Sequence, residues 1–93
     1  MIMSFAGKQT EALFNRLSAR KLPGKIQRTA LRKLVYLNQA RTLDDLQVPP
    51  GNRLEALKGD RPGRYGIRIN DQWRICFIRR GQDAYEVEIV DYL

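Results

Sequence analysis

Arg74 stands between Trp73 and Ile75, within residues 73–77, where apolar side chains alternate with others. Alternation at period two sends successive side chains to opposite faces of a strand, so this cation is directed away from the apolar face. Two readings follow. One is a salt bridge across the sheet to Asp91 or Glu88. The other is a functional cation held on that face, whose planar guanidinium fork offers paired donors. Lysine, carboxylate and tyrosine side chains accompany Arg74 in the same half of the chain. Such a cluster of charged and phenolic groups on the later strands is where chemistry could sit. Histidine is absent and Cys76 is the single cysteine, which excludes an internal disulfide and the usual metal cages. The string GKIQRT lacks the first glycine and the GK[ST] ending of a phosphate-binding loop, and no nucleophile elbow or dinucleotide fingerprint is present.

These side chains need a frame, and the hydrophobic spacing predicts one. Residues 8–20 read as a helix on the recurrence of Leu13, Phe14 and Leu17, with Arg16 and Arg20 one turn apart on another side. Lys21-Leu22-Pro23-Gly24 is a turn. Residues 25–40 form a second helix whose apolar stripe is Ile26, Ala30, Leu34 and Leu37, broadened by Leu31 and Val35. Lys25, Arg28 and Arg32 fall on a different face. Residues 2–5 could be a short edge strand. Residues 46–52 and 58–63 are turn-rich loops around a short strand at 53–57. Three further strands at 65–69, 73–77 and 85–92 are joined by turns at Asn70-Asp71 and residues 81–83. Tyr65, Ile67, Ile69, Trp73, Ile75 and Phe77 then face the core, and Arg68, Arg74 and Cys76 the other side. The expected class is α+β: two N-terminal antiparallel helices packed on one face of a small antiparallel sheet, with residues 1–93 as one domain.

Ninety-three residues are too few for two independent cores, and 43% hydrophobic residues suffice for one. No apolar run approaches the ~20 residues of a membrane span, and the start MIMSFAGKQTEALF lacks the features of a secretory signal. A soluble cytoplasmic protein is the expectation. The net charge of +7 is unevenly placed. Residues 1–43 hold Lys8, Arg16, Arg20, Lys21, Lys25, Arg28, Arg32, Lys33 and Arg41 against Glu11 alone, so this part is +8 and the remainder −1. Such asymmetry points to a polyanion or acidic partner; the plainer alternative is a solvated helix face that keeps the chain in solution.

Three stretches carry a family resemblance: NRLEALKGDR from Asn52 to Arg61, YGIRINDQWRICF from Tyr65 to Phe77, and the ending VEIVDY from Val87 to Tyr92. In these strings, and in length and element order, the chain resembles the HigB toxins of the larger RelE/ParE superfamily of type II toxin–antitoxin systems. The resemblance implies a RelE-like microbial RNase fold and a compact toxin that enters the A site of the 70S ribosome and cuts the bound mRNA. It implies no cofactor, no metal and no membrane, a HigA-like helix-turn-helix antitoxin as inhibitor, and contact with operator DNA only through that antitoxin. The working positions of relatives fall on Glu55, Lys58, Arg74, Asp91 and Tyr92. Leu93 stands where a terminal histidine is expected, and Glu55 where some relatives have histidine. Metal-free cleavage would use the 2′-OH as nucleophile, with Arg74 and Lys58 on the phosphate, Asp91 or Glu55 as base, and Tyr92 stacking on a base or orienting the ribose. Lys8, Arg16, Arg20, Lys21, Lys25, Arg28, Arg32 and Arg68 are the expected RNA contacts. Two other functions remain in view: a ParE-like gyrase poison, and a weakened toxin kept as an antitoxin-binding co-repressor.

Overall fold

The computed structural model describes residues 1–47, 50–57 and 63–92. Helices α1 (Lys8–Phe14) and α2 (Gly24–Gln39) precede strands β1 (Glu55–Ala56), β2 (Arg64–Arg68), β3 (Trp73–Arg80) and β4 (Asp83–Asp91). The strands pair antiparallel in the order β1-β2-β3-β4. This is the α+β arrangement that the spacing predicts, with both helices N-terminal to the sheet.

The core follows from two periodicities meeting. Ile26, Ala30, Leu34 and Leu37 of α2 are 2, 0, 0 and 1% exposed, as a stripe at helical spacing must be when it faces a sheet. Ile67, Ile75 and Ile89 lie side by side across β2, β3 and β4 and join the same apolar cluster. Burying each such side chain contributes roughly 1.5–3 kcal/mol. Lys25, Arg28 and Arg32 are exposed on the other side of α2.

The first helix is shorter than its spacing predicts. It ends at Phe14, where Arg16 takes a left-handed conformation with φ 58°. The N–H of Leu17 then donates to Ala12 O (2.8 Å) and that of Arg16 to Leu13 O (3.0 Å), which satisfies the last helical carbonyls. This stop turns Leu17 outward to 65% exposure, so it leaves the apolar stripe, and Ala19 and Leu22 enter the core instead. Arg16 and Arg20 therefore do not share a helix.

Residues 2–5 make two isolated parallel bridges to β4, Ile2 with Ala84 and Phe5 with Val87, rather than a strand. A β-bulge accounts for this. Cys76 pairs with Glu88 and Ile78 with Tyr85, so Phe77 alone opposes Glu86 and Val87. The extra residue interrupts the ladder that a neighbouring strand would follow. The N-terminal segment still covers the edge of β4, with Met3 N–H on Ala84 O (2.8 Å) and Ala6 N–H on Val87 O (3.0 Å). Strand β1 is also shorter than expected because Arg53, with φ 45°, cannot continue it. The β2–β3 turn forms at Asn70, whose Oδ1 accepts from the N–H groups of Gln72 and Trp73, both at 2.8 Å.

Candidate active site on the open sheet face

Strand alternation places Arg74, Cys76 and Ile78 on the face away from the helices. On β3 the guanidinium of Arg74 forms an ion pair with Glu55 of β1. This corrects the salt-bridge partners that sequence spacing offers, Asp91 and Glu88. The pair reaches across β2, and the β2 residue opposite Glu55 is Gly66, which has no side chain to stand in the way. Arg74 Nη1 is sealed from solvent and, among the described residues, has this carboxylate as its charge partner without a well-directed hydrogen bond. Glu55 is half exposed. A buried donor held by one displaceable carboxylate is suited to exchange that carboxylate for a phosphate.

Tyr92 completes the cluster. Its ring lies 4.9 Å from the Arg74 guanidinium, a favourable cation–π placement, and 47% of the residue stays exposed. Its hydroxyl lies beside the Cys76 thiol, close enough for each to affect the other's ionisation, and Arg64 is near the same thiol. Burial pushes the Cys76 thiol up from its ordinary value, against the opposing pull of Tyr92 and Arg64. Burial and then Cys76 push the Tyr92 phenol up, although Arg74 draws it down. Both groups therefore keep their protons at neutral pH.

Asp91 is placed differently. Its cross-strand partner is Trp73, in step with Ile89 and Val87, so it belongs to the helix-side row at the end of the sheet. Gln72 Nε2 donates to Asp91 Oδ2 at 3.0 Å, while Gln72 O accepts from Tyr92 N–H at 2.7 Å. Gln72 thus ties down two consecutive residues whose side chains serve opposite faces. The structure brings together Glu55, Arg74 and Tyr92 of the expected set and sets Asp91 apart. Lys58 and Leu93 lie outside the described residues.

Arg64, Cys76 and Glu88 also belong to this face, and none of them stood among the expected site residues. Arg64 shares parity with Gly66 and Arg68, so beginning β2 one residue earlier would have shown it. Arg68 lies opposite Arg74 in the ladder and forms an ion pair with Asp71, while its carbonyl accepts from Lys33 Nζ. Lys33 is consequently 6% exposed and withdrawn from the basic surface. Lys8, Arg16, Arg20, Lys21, Lys25, Arg28 and Arg32 are all exposed and sit in the helix layer and its connection, across the sheet from Arg74. Among the described residues no group of three or more His, Cys, Asp or Glu side chains converges as a metal site. No helix among the described residues is long and apolar enough to cross a membrane.

Fold and site together define a small α+β protein with an arginine–carboxylate pair on the sheet face away from the helices. Residues 3–93 match the family described as RelE-like toxin of type II toxin-antitoxin system HigB. The chain belongs to this family of HigB-like toxins. It is 37% identical over 78 residues to Toxin HigB-1 of Vibrio cholerae serotype O1 (strain ATCC 39315 / El Tor Inaba N16961), covering 83% of this chain and 82% of that one. It is also similar to an uncharacterized protein of Haemophilus influenzae (strain ATCC 51907 / DSM 11121 / KW20 / Rd), 33% identical over 57 residues, or 61% and 56% of the two chains. Membership in a toxin–antitoxin family implies an antitoxin as partner.

Proposed function

We propose that this chain is an endoribonuclease that cuts mRNA on the ribosome, without a cofactor, and is neutralised by a HigA-like antitoxin. The observation that carries the reading is the Glu55–Arg74–Tyr92 cluster on an open sheet face of a HigB-like toxin. An incoming phosphodiester displaces Glu55 from Arg74, because the guanidinium binds the phosphate bidentately. The released carboxylate takes the proton of the ribose 2′-OH, whose oxygen attacks the adjacent phosphorus. Arg74 then stabilises the charge that develops on the phosphorane. The bond to the 5′-oxygen breaks, leaving a 2′,3′-cyclic phosphate and a 5′-hydroxyl that acquires a proton from Tyr92 or water. Tyr92, placed against Arg74, stacks against a base or orients the ribose. Lys58 is assigned to the phosphate on sequence grounds. Asp91 is less suited than Glu55 to the base role, since its row of the strand faces the other way. The exposed basic helices contact ribosomal RNA through phosphate neutralisation.

The test is induction of the chain without antitoxin, followed by mapping of 2′,3′-cyclic phosphate ends on translated mRNA. Wild type gives such ends, and Arg74→Ala lowers their rate ~10²–10³-fold, the scale of losing one transition-state donor. Cleavage that persists at the original rate in Arg74→Ala refutes the assignment. Supercoiling defects without RNA ends would instead identify a gyrase poison.

A further inference from the structure

Strand β2 brings a second arginine to the face that carries Arg74. Arg64 stands opposite Ile78 in the ladder, so its backbone lies roughly 13 Å along the strand from Arg74. Alternation sends its side chain to the side of Arg74 and Cys76. That side chain comes back toward the site, because Arg64 is near the Cys76 thiol, beside which the Tyr92 hydroxyl lies. The guanidinium of Arg74 lies against the ring of the same tyrosine, 4.9 Å from its centroid. One exposed phenol thus has a cation at its ring and another toward its hydroxyl end.

The cations of this face are held differently. Arg74 is paired with Glu55, and Arg68 with Asp71. Among the described residues Arg64 has no carboxylate within ion-pair distance, although Glu86 and Glu88 line the same recess. Glu88 leans away from it. Its Cγ and Oε2 come within 3.3 and 3.7 Å of where a Cβ would stand on Gly7, just before α1. Glu86 is exposed on the bulge and already engaged. A partly exposed guanidinium without a neutralising carboxylate keeps its fork of donors available to an anion.

The order of these groups suggests which anion. In the proposed cleavage the scissile phosphate lies at Arg74 and an adjoining nucleoside at Tyr92. A nucleic acid strand repeats phosphate, nucleoside, phosphate; this face repeats guanidinium, phenol, guanidinium. We infer that Arg64 is a binding residue for the flanking phosphate, the one on the far side of the nucleoside at Tyr92. The inference deepens the RNA-cutting proposal above and rests on it for the identity of the ligand. A contact to the backbone is blind to the base. It also holds ground state and transition state alike, so Arg64 governs KM, whereas Arg74 meets the developing charge and governs kcat.

The test uses the full chain and 2′-deoxy oligomers of uridine, which carry the phosphates and cannot be cut. Calorimetry compares the dinucleotide, with one phosphate, to the trinucleotide, with two. Wild type binds the trinucleotide about tenfold more tightly, the low end for a charge-assisted contact. The advantage disappears when a neutral methylphosphonate replaces the flanking phosphate. It also disappears in Arg64→Gln, which binds the dinucleotide as wild type does, and is largely kept in Arg64→Lys. The log–log salt slope for the trinucleotide falls by about 0.7 in Arg64→Gln, one phosphate contact on a single strand. On ribosome-bound mRNA the same variant raises KM about tenfold and changes kcat less than twofold. Equal binding of the two oligomers by wild type, an advantage that survives Arg64→Gln, or a fall in kcat at unchanged KM overturns the assignment. A trinucleotide advantage that depends on Arg64, in a chain that leaves translated mRNA intact, upholds Arg64 and refutes the cleavage proposal. Cleavage by a chain whose trinucleotide binding ignores Arg64 does the reverse.

Discussion

The two faces of the sheet are built from the same strands and answer opposite demands. On the helix side Ile67, Ile75 and Ile89 form a continuous row under α2, with exposures of 0, 0 and 7%. One residue further along each strand the side chains change character. Arg68 and Arg74 stand next to each other in the ladder, as do Gly66, Cys76 and Glu88, and Glu55 reaches over to Arg74 from β1. The covered face holds its residues by close packing, which tolerates little change of volume. The other face carries Arg68 and Arg74 in ion pairs with exposed or half-exposed carboxylates, beside the buried Cys76. Period two thus separates stability from chemistry within single strands, and neighbouring substitutions should report on different properties.

The largest expected effect comes from the covered face. Phe77 is 1% exposed and stacks near Tyr65, its cross-strand partner, at a centroid distance of 6.2 Å. Phe77→Ala is expected to cost about 3–5 kcal/mol of folding stability, measured as a lowered denaturant midpoint. Arg74→Ala, three residues away, should cost less than ~1 kcal/mol, because its partner Glu55 remains half solvated once released. If both variants lose similar stability, the separation of the faces fails.

The same alternation explains how much was legible beforehand. The α2 stripe and the β2–β3 hairpin were readable because their apolar positions repeat at 3.6 and at 2 and a turn residue separates the strands. Arg74 could be placed on the open face from Trp73 and Ile75 alone. Its partner could not, because Glu55 is distant in sequence and two strands away, and no local spacing specifies such a contact. The bulge was likewise hidden. One inserted residue between Tyr85 and Glu88 shifts parity on β4 without any glycine to announce it, since Glu86 itself takes the left-handed conformation. The end of α1 escaped for the same reason at Arg16. Asp91 and Tyr92 are neighbours within the expected set, yet adjacency in a strand places side chains on opposite faces.

That last point gives the next test. If Glu55 is the base, Glu55→Gln should lower cleavage by at least ~10²-fold, within the range for losing a positioned proton acceptor. The same change should tighten binding of an uncleavable RNA bearing a 2′-deoxy substitution, because the amide competes less for Arg74. Asp91→Asn should lower cleavage less than tenfold, through loosening of Tyr92 by way of Gln72. The reverse order of effects would assign the base role to Asp91 and overturn the face argument. On the helix layer, Arg28→Glu combined with Arg32→Glu should flatten the salt dependence of ribosome association. The expected loss is on the order of 0.7–0.9 in the log–log slope per phosphate contact removed, with cut positions unchanged. An unchanged slope would remove these residues from the RNA-contacting surface.

The smallest effect concerns Lys33, the basic side chain of α2 that turns toward the sheet instead of outward. Its ammonium donates to Arg68 O, and burial, then Arg32 and Arg68, lower its pKa from the ordinary 10.5. A lowered value in the folded state means that the unfolded chain binds more protons between that value and 10.5. Stability contributed by this group therefore rises with pH across that alkaline window. Below the window both states are protonated, and the full cost of holding the charge in a buried place is present. Lys33→Met removes the titration. Unfolding free energies of the two proteins, measured from pH 7 to 10.5, should show wild type gaining on the variant as pH rises. Parallel curves would mean that Lys33 keeps its charge as easily inside the fold as outside, and that the helix layer and the sheet meet there without electrostatic cost.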